Sequence, residues 1–407
     1  MENEQAKAWT RICRETDPAE TLARMIPFVR EIGVSRIADI SGLDFIGLPV
    51  AVAYRPTARS LATCYGKGVT LTEAKASAVM EALERYCAEN PKITLRYASY
   101  DELLGEGRVV DLDMLPRIGE APPLKSRRSL WARAKGMTTG DTAWVPFETV
   151  HLDYALPLPT NLECLLVGSG GLASGNTIRE AAVHAISELI ERDALTLWRA
   201  KGSDINETII DLESVNDPWC TEILSTLSRS GVRTAVWDMT SDLGVPAFFC
   251  EISSDNSSTF RNVSPAAGSA CHPLSGIALG KAVLEAVQSR LTMISGTRDD
   301  LTREMFMRGS PRPPREEPNT CAGKAFTDIP SALDFASIDD ALENLLNRLR
   351  TGIGEPLIVD LSHDGIPAVV VRVIAPGLEG SCDAPGYTAG TRARGLAAKQ
   401  DGDVEHG

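Results

Sequence analysis

Polar and apolar positions follow helical spacing in two stretches of the chain that share one sequence pattern. Residues 66–85 and 173–192 coincide when the frame is shifted, and both contain G-x-T-x-x-E-A-x-x-x-A-x-x-E-x-x-E-R. In each copy the apolar positions recur every three or four residues, which predicts an amphipathic helix. Because an internal duplicate sets the architecture of a chain, we expect the rest of the fold to be organised around these two helices.

The polar positions of each copy lie on one face of its predicted helix, since residues three and four apart are neighbours there. The two faces carry Glu73, Ser77, Glu81 and Glu84, and Glu180, His184, Glu188 and Glu191. Carboxylates at this spacing repel one another unless a cation lies between them. One such helix is typical of a solvated acidic surface, but two matched copies favour carboxylates that hold Mg²⁺ bound to a polyphosphate.

The remaining pattern predicts a mixed helix and strand protein. We expect a helix over 17–32, a hairpin over 40–54 and a third, faded copy of the repeat helix over 279–295. Short strands are expected at 93–97, 143–146, 165–167, 234–238, 247–253, 356–360 and 368–373, with helices at 219–230 and 338–350. The glycine-rich stretch 168–175 is a weak phosphate-loop signal, and the proline-rich stretch 308–324 predicts a surface loop.

Composition narrows the classes of function. The net charge of −14 argues against a nucleic-acid-binding surface, which needs basic clusters. The nine cysteines are scattered without a C-x-x-C pair, which indicates a reduced, cytoplasmic protein rather than a disulfide framework or a zinc site. No run of 18 apolar residues and no signal peptide occurs, so we expect no membrane association.

Three separated motifs resemble those of a known family. They are Ser77-x3-Glu81-x2-Glu84-Arg85, then Asn176-x3-Glu180 with Glu188-x2-Glu191-Arg192, and finally Glu285-x2-Gln288-x-Arg290. In this order they resemble the nucleotide-binding motifs of the YcaO family, and the resemblance runs from about residue 38 to 379. The stretch from Ser41 to Val50, together with Gly66-Lys67-Gly68, is similar to the members encoded beside TfuA proteins.

The resemblance implies an α+β, YcaO-like fold in which duplicated βα units bring their acidic helices face to face around ATP. It implies an N-terminal segment 1–60, a YcaO domain 61–380 and a polar C-terminal tail 381–407. The repeats within the domain are expected at about 66–90 and 173–197, with the weak third copy at 276–295. The activity implied is ATP-dependent activation of a peptide backbone amide, which gives either an azoline ring from Cys, Ser or Thr, or a thioamide.

The resemblance also assigns roles to residues. Glu285, Gln288 and Arg290 would be catalytic, with Arg290 facing phosphate charge. Glu81, Glu84, Glu188 and Glu191 would hold Mg²⁺. The residues expected to bind ATP are Lys67, Ser77, Glu81, Glu84, Asn176, Glu180, Glu188, Glu191 and Arg192. Arg11 or Arg14 is a further candidate for a phosphate contact.

The implied partners are a precursor peptide or protein and a TfuA-like protein, and a homodimer stays open. Azoline-forming members often end in a P-x-P-x-P sequence, whereas this sequence ends KQDGDVEHG, which leaves thioamide formation open. Two other classes compete with an enzyme. One is a non-catalytic nucleotide-binding regulator of a partner enzyme, and the other is an acidic metal-storage protein that binds metal without nucleotide selectivity.

Overall fold

A computed structural model describes residues 14–159, 162–254, 264–298, 300–301, 323–331, 335 and 337–404. Its α-helices are α1 (Pro18–Met25), α2 (Leu71–Glu89), α3 (Tyr100–Leu104), α4 (Ile178–Ala200), α5 (Pro218–Arg229), α6 (Ser275–Ser295), α7 (Ile338–Gly352) and α8 (Thr391–Val404). Its strands are β1 (Arg36–Asp39), β2 (Val50–Tyr54), β3 (Thr63–Lys67), β4 (Leu95–Ala98), β5 (Arg117–Ile118), β6 (Ser129–Gly136), β7 (Thr142–Pro146), β8 (Leu172–Gly175), β9 (Ile210–Asp211), β10 (Val232–Asp238), β11 (Ala247–Ser254), β12 (Ala266–Cys271), β13 (Lys324–Ala325), β14 (Leu357–Asp360), β15 (Val369–Ile374) and β16 (Tyr387–Thr388).

Each predicted repeat helix follows a strand, in the order β3–α2, β8–α4 and β12–α6. The first two helices begin at equivalent threonines, because the hydroxyl of Thr70 accepts a hydrogen bond from Glu73 N and that of Thr177 accepts one from Glu180 N. A threonine at this position satisfies a backbone donor that the helix itself leaves free. The G-x-T-x-x-E part of the repeat is therefore a helix start.

Small residues let the repeat helices lie directly against their strands. A Cβ added to Gly66 would be 2.1 Å from the carbonyl oxygen of Ala74, and one added to Gly268 would be 2.3 Å from Ala286 N. Neither position has room for a side chain, because the helix backbone occupies that space. The polar residues of the first repeat lie on the neighbouring face of α2, where the Glu81 carboxylate accepts a hydrogen bond from Tyr65 N on β3.

Most strands form two three-stranded antiparallel sheets, ordered β1-β2-β3 and β10-β11-β12, and a larger sheet. Two short pairs, β9 with β13 and β5 with β16, lie outside these sheets. The larger sheet has the order β4-β6-β14-β15-β8, and β7 pairs with β6 outside this path. Within it β8 pairs antiparallel with β15, with Val369 opposite Gly175. The strand that leads into α4 is thereby held by a strand from near the end of the chain.

Several predicted elements are displaced in the structure. The hairpin over 40–54 is formed by β1 and β2, with a 3₁₀ turn at Ser41–Leu43 between them. The first helix ends at Met25 instead of reaching residue 32, since Pro27 has no N–H to continue it. The strand expected at 165–167 is absent among the described residues. It is replaced by β8, which lies inside the glycine-rich stretch.

The long strand β6 was absent from the sequence prediction, although it pairs with three other strands. Most of the proline-rich stretch 308–324 lies outside the described residues. The described cysteines are free, and no helix in the described part of the chain is both long and apolar enough to span a bilayer.

Within the predicted polar tail 381–407, residues 391–404 form α8, which packs against α4. Arg392 at the start of α8 pairs with the fully buried carboxylate of Asp193, with an N···O distance of 2.9 Å. The buried carboxylate of Glu379 accepts a hydrogen bond from Ala393 N at 2.9 Å. The sequence pattern did not reveal this docking. The docking depends on individual charged residues far apart in the chain and not on a periodic apolar face.

We expect Arg392→Ala to lower the free energy of unfolding by about 3 kcal/mol, because it leaves the carboxylate of Asp193 buried without its cation. Denaturant unfolding followed by circular dichroism measures the change. Arg394→Ala is the matched control, since Arg394 is exposed on the same helix and should change stability by less than about 0.5 kcal/mol. Equal losses in the two variants would show that the ion pair contributes nothing specific.

Candidate active site

A cavity of about 840 Å³ lies where α2, α4 and α6 meet. Nine of the residues predicted for the site line it: Lys67, Ser77, Glu81, Glu84, Glu188, Glu191, Arg192, Glu285 and Gln288. Both acidic repeat faces thus contribute to a single cavity, together with the third helix. Three other predicted residues, Asn176, Glu180 and Arg290, are not part of its lining.

A ring of side-chain contacts joins the three strand–helix units around this cavity. The Glu84 carboxylate on α2 accepts hydrogen bonds from the backbone N–H and hydroxyl of Ser174 on β8, at 2.8 and 2.9 Å. The Glu191 carboxylate on α4 accepts one from the hydroxyl of Ser269 on β12 at 2.6 Å. The ring closes through an ion pair of 2.8 Å between Glu285 on α6 and Lys67 on β3. Each helix is therefore tied to the strand of another unit.

Burial makes the carboxyl groups on the cavity wall hard to ionise. It raises the pKa of Glu84 to about 8, with a further contribution from the negative charge of Glu81 and in spite of the hydrogen bonds from Ser174. Burial also raises the pKa of Glu191 to about 7, although Arg192 opposes this, and raises the pKa of Glu188. An approaching cation would stabilise the ionised form of all three groups.

Cations of the protein neutralise part of this charge. Arg85 pairs with Glu81 at 2.8 Å, and Arg192 lies 3.4 Å from both Glu188 and Glu191. Within the described part of the chain, Glu84 has hydrogen bonds but no ion pair. The wall therefore combines carboxylates that need a positive charge with arginines that can face a negative one, which suits a ligand such as a metal-bound phosphate.

The described residues contain no group of three His, Cys, Asp or Glu side chains close enough to form a complete metal cage. Four glutamates were predicted to hold Mg²⁺, and they are brought to one cavity without being assembled into such a cage. Mg²⁺ commonly uses one or two carboxylates together with phosphate oxygens and water. The donor set therefore fits Mg²⁺ that arrives with a polyphosphate, and does not fit a dedicated storage site.

Asn176 and Glu180 form a network next to the cavity instead of lining it. The amide of Asn176 donates to the Glu180 carboxylate at 3.1 Å and accepts a hydrogen bond from the hydroxyl of Thr21, also at 3.1 Å. Arg14 pairs with Glu180 at 2.7 Å. Arg14 and Thr21 do line the cavity, so this network connects the N-terminal segment to it. Arg11 lies outside the described residues.

Arg290 does not face the cavity. Its guanidinium pairs with Asp44 at 2.6 Å, both side chains are almost fully buried, and its Nη1 has no hydrogen-bond partner among the described residues. The reason is helical geometry, since a residue two positions after Gln288 points to another side of α6. Arg290 attaches α6 to the loop between β1 and β2, so the structure gives no support to the predicted contact with phosphate.

Residues outside the predicted set also form the wall. Ser174 and Ser269 hold the two central glutamates, while Tyr65, Trp219 and Lys281 line the cavity. Ser174 could have been found from the repeat, because it falls at the same place in the second copy as Lys67 does in the first. Ser269, Trp219 and Lys281 had no comparable signal, since they belong to the faded third unit or to α5.

His184 and Cys271 also line the cavity, but neither is prepared for chemistry in this state. Burial lowers the pKa of His184, with a further effect from the positive charge of Lys281, so its imidazole is neutral. Burial raises the pKa of Cys271, so its thiol stays protonated. A protonated thiol is a poor nucleophile. The site's chemistry therefore rests on its carboxylates and cations.

The chain matches one family model and several curated relatives. The family is described as YcaO cyclodehydratase, ATP- and Mg²⁺-binding, and its model covers residues 65–379. A protein of Rhizobium leguminosarum bv. trifolii, named for its position in the tfuA 3′ region, is 34% identical over 376 residues, which cover 90% of this chain and 88% of the relative. A Methanothermobacter thermautotrophicus protein is 35% identical over 377 residues, which cover 89% of this chain and 94% of that relative.

Solved structures share the fold. A heterocyclase in complex with substrate and cofactor superposes with a TM-score of 0.75 at 22% identity. The match covers 90% of this chain and 53% of the heterocyclase, so this chain spans about half of that protein's length. YcaO from Methanopyrus kandleri, bound with AMPPCP and Mg²⁺, gives a TM-score of 0.69 at 23% identity. That match covers 90% of this chain and 92% of the M. kandleri protein. The α+β architecture, the acidic cavity and the match over most of the chain agree, and the chain belongs to the YcaO cyclodehydratase family, whose cofactors are ATP and Mg²⁺.

Proposed function

We propose that this chain is an ATP-dependent enzyme that activates a backbone amide of a ribosomally made peptide or protein. The observation that carries the proposal is the convergence of two acidic helix faces and a third helix on one cavity of about 840 Å³. A buried wall of carboxylates with neighbouring arginines suits Mg²⁺-ATP, and family membership supports the same assignment. The fold shared with a heterocyclase that was solved in complex with substrate and cofactor supports the ring-forming branch of this proposal.

The residues divide into three roles in this proposal. Glu81, Glu84, Glu188 and Glu191 hold Mg²⁺, while Lys67, Ser77 and Arg192 contact the phosphates, with Asn176 and Glu180 supporting the nucleotide side from the neighbouring network. Glu285 and Gln288 lie on α6 and orient the amide beside the transferred phosphoryl group. Arg290 is assigned a positioning role through its pair with Asp44, and not a contact with phosphate.

The chemistry follows from the poor leaving ability of an amide oxygen. A nucleophile adds to the carbonyl carbon, and the resulting oxyanion takes the γ-phosphoryl group of ATP, which releases ADP. The oxygen then leaves as phosphate when the C–O bond breaks. A proton leaves with it, either from the amide nitrogen to form the C=N bond of an azoline or from the added sulfur to form the C=S bond of a thioamide. A Cys, Ser or Thr side chain as nucleophile gives an azoline ring, whereas an external sulfide gives a thioamide. The protein's contribution is positioning and the neutralisation of charge.

We propose a TfuA-like protein as partner and leave the choice between ring and thioamide to experiment. The relative named for its position in the tfuA 3′ region supports such a partner. In this proposal the partner either delivers sulfur or holds the peptide. A cytoplasmic location and a homodimer remain predictions.

Product formation tests the function directly. We expect a neighbouring precursor peptide, incubated with this chain, Mg²⁺-ATP and the TfuA-like partner, to change mass. Intact-mass analysis distinguishes the outcomes, since loss of water (about −18 Da) indicates a ring and exchange of oxygen for sulfur (about +16 Da) indicates a thioamide, as the bonds broken and formed require.

Each component is omitted in turn in that experiment. ATP turnover without any change in peptide mass, under all conditions, would favour a nucleotide-binding regulator over an enzyme. Full conversion without the partner would show that the TfuA-like protein is not required.

Glu84→Gln and Glu191→Gln should each weaken binding of Mg²⁺-AMPPCP by at least about tenfold, because each removes a charge facing the metal while keeping an oxygen for Ser174 or Ser269. Isothermal titration calorimetry measures the affinity. Glu222→Gln, on the exposed surface of α5, is the matched control. Wild-type affinity in both cavity variants would remove these two residues from the metal site.

The stability of the ligand-free protein should depend on pH through Glu84. Its pKa is about 8 in the folded state and near 4.5 when unfolded, so the unfolded chain releases this proton first and stability falls as pH rises from about 4.5 to 8. Glu84→Gln should therefore be more stable than wild type at pH 8 by about 1 to 3 kcal/mol, since cavity water reduces the full effect, and about equal at pH 4.5. Denaturant melts at both pH values measure the free energy of unfolding, and exposed Glu343→Gln is the control. The prediction fails if the stability difference between Glu84→Gln and wild type does not grow with pH.

A further inference from the structure

Strand β3 is an edge strand that runs beside the cavity. It pairs with β2 and with no other described strand. The backbone N–H of Arg55 donates to the carbonyl of Ala62, and that of Gly68 donates to the carbonyl of Pro49. Because hydrogen-bonded pairs alternate along an antiparallel ladder, residues 62, 64, 66 and 68 face β2, and residues 63, 65 and 67 face the opposite edge.

The orientation of Tyr65 agrees with this alternation. Its backbone N–H donates to the Glu81 carboxylate on α2 at 3.0 Å, on the side away from β2. The Glu81 carboxylate thus covers the edge at Tyr65. The edge before it, along Leu61 and Thr63, lies against a second cavity.

The second cavity measures about 250 Å³ and lies between β3 and α6. We call it the edge groove, and it is lined by Leu61, Thr63, Tyr65, Glu81, Arg85, Glu285, Gln288, Ser289, Thr292, Met293, Arg298 and Leu301. Seven of these residues, Leu61, Tyr65, Glu81, Arg85, Glu285, Gln288 and Arg298, also line the main cavity. The edge groove therefore joins the main cavity at the residues proposed to orient the amide.

The charged residues of the edge groove are all paired. Arg85 binds Glu81 at 2.8 Å, Lys67 binds Glu285 at 2.8 Å, and Arg298 binds Asp300 at 2.7 Å. The rest of its wall consists of hydroxyl, amide and aliphatic groups. Such a surface has no excess charge to attract a polyphosphate, but it offers donors, acceptors and apolar contacts to a neutral peptide backbone.

Thr63 supplies a second, independent observation. Its side chain is 3% exposed, and its hydroxyl has no hydrogen-bond partner among the described residues. A buried hydroxyl without a partner is costly, so such a group often marks a place where a ligand completes the hydrogen bonding. Thr63 belongs to the edge groove, which puts this unused group beside the open edge of β3.

We propose that the edge groove binds the substrate peptide as an added strand on β3. The inference rests on the proposed function and names the place where its peptide enters. The backbone of the peptide pairs with the edge at Leu61 and Thr63, and the pairing ends where Glu81 covers Tyr65. The next amide of the peptide then lies beside Glu285 and Gln288, at the junction with the main cavity.

A peptide probe tests this proposal without knowledge of the natural substrate. A phage-displayed library of random 12-residue peptides is selected on the full chain loaded with Mg²⁺-AMPPCP, and the dominant peptide is synthesised with a fluorophore. Its affinity is measured by fluorescence anisotropy for wild type and variants, with and without nucleotide. AMPPCP affinity is measured on every variant, so a failure of the nucleotide site is seen separately.

Two variants address the edge groove. Ser289→Leu fills it and should weaken peptide binding by at least about tenfold, whereas Ser228→Leu on the exposed surface of α5 should not. Thr63→Val keeps the shape but removes the hydroxyl, and should weaken peptide binding by about three- to tenfold with an unchanged or raised melting temperature. Thr142→Val, at an exposed position of β7, is its control. AMPPCP affinity should stay at the wild-type value in all four variants.

N-methylation of the peptide gives a readout specific to strand pairing. Methyl groups on alternate backbone nitrogens should abolish binding, and those on the nitrogens between them should be tolerated, because only every second N–H of an added strand faces β3. The proposal is overturned if no peptide is selected, if Ser289→Leu binds the peptide as wild type does, or if the methylation pattern has no period of two.

Discussion

The carboxylates that lie between the three strand–helix units are the constraint on which the rest of the structure depends. Glu84 is held by Ser174, Glu191 by Ser269, and Glu285 by Lys67, so each contact crosses from one unit to another. A carboxyl group removed from water is costly unless hydrogen bonds or cations replace the water. The ring of contacts meets that requirement only while the three helices stay in place. Burial of these groups and the packing of the helices are therefore coupled.

The coupling has a chemical consequence at the cavity wall. The pKa values of Glu84 and Glu191, about 8 and about 7, show that the hydrogen bonds do not fully replace the lost water. The wall is consequently more stable with a metal-bound ligand than without one, because the ligand's cation favours the ionised state that burial opposes. The difference in unfolding free energy between wild type and Glu84→Gln measures how much of this cost Glu84 carries.

The sequence pattern predicted the repeat helices and which of their residues share a face, because both follow from helical period. The repeat set the positions of Glu81, Glu84, Glu188 and Glu191, and all four line the cavity. Arg290 was assigned to phosphate from a motif, but its helical position turns it toward Asp44. Contacts between distant segments, such as Ser269 with Glu191, leave no periodic signal in one sequence.

The long strand β6 and the docking of α8 escaped prediction for a related reason. A strand in a sheet is stabilised mainly by its neighbours, so its own residues specify it weakly. The docking of α8 depends on Arg392 meeting a buried aspartate far away in the chain. The glycine-rich stretch 168–175 shows the same limit, since part of it forms β8 against β15 and the sequence alone does not show that pairing.

The ring of contacts is weakest where the edge groove meets the main cavity. Glu84 and Glu191 receive hydrogen bonds from serines inside the protein, whereas the third contact is an ion pair whose Lys67 and Glu285 side chains are 24% and 29% exposed. A partly exposed ion pair contributes little to stability, so β3 and α6 can separate at that point at a lower cost than the other units. A peptide lying along β3 would reach the phosphoryl group through this side. The position of the weakest contact, the paired charges of the edge groove and the unused hydroxyl of Thr63 thus favour the same route for the substrate.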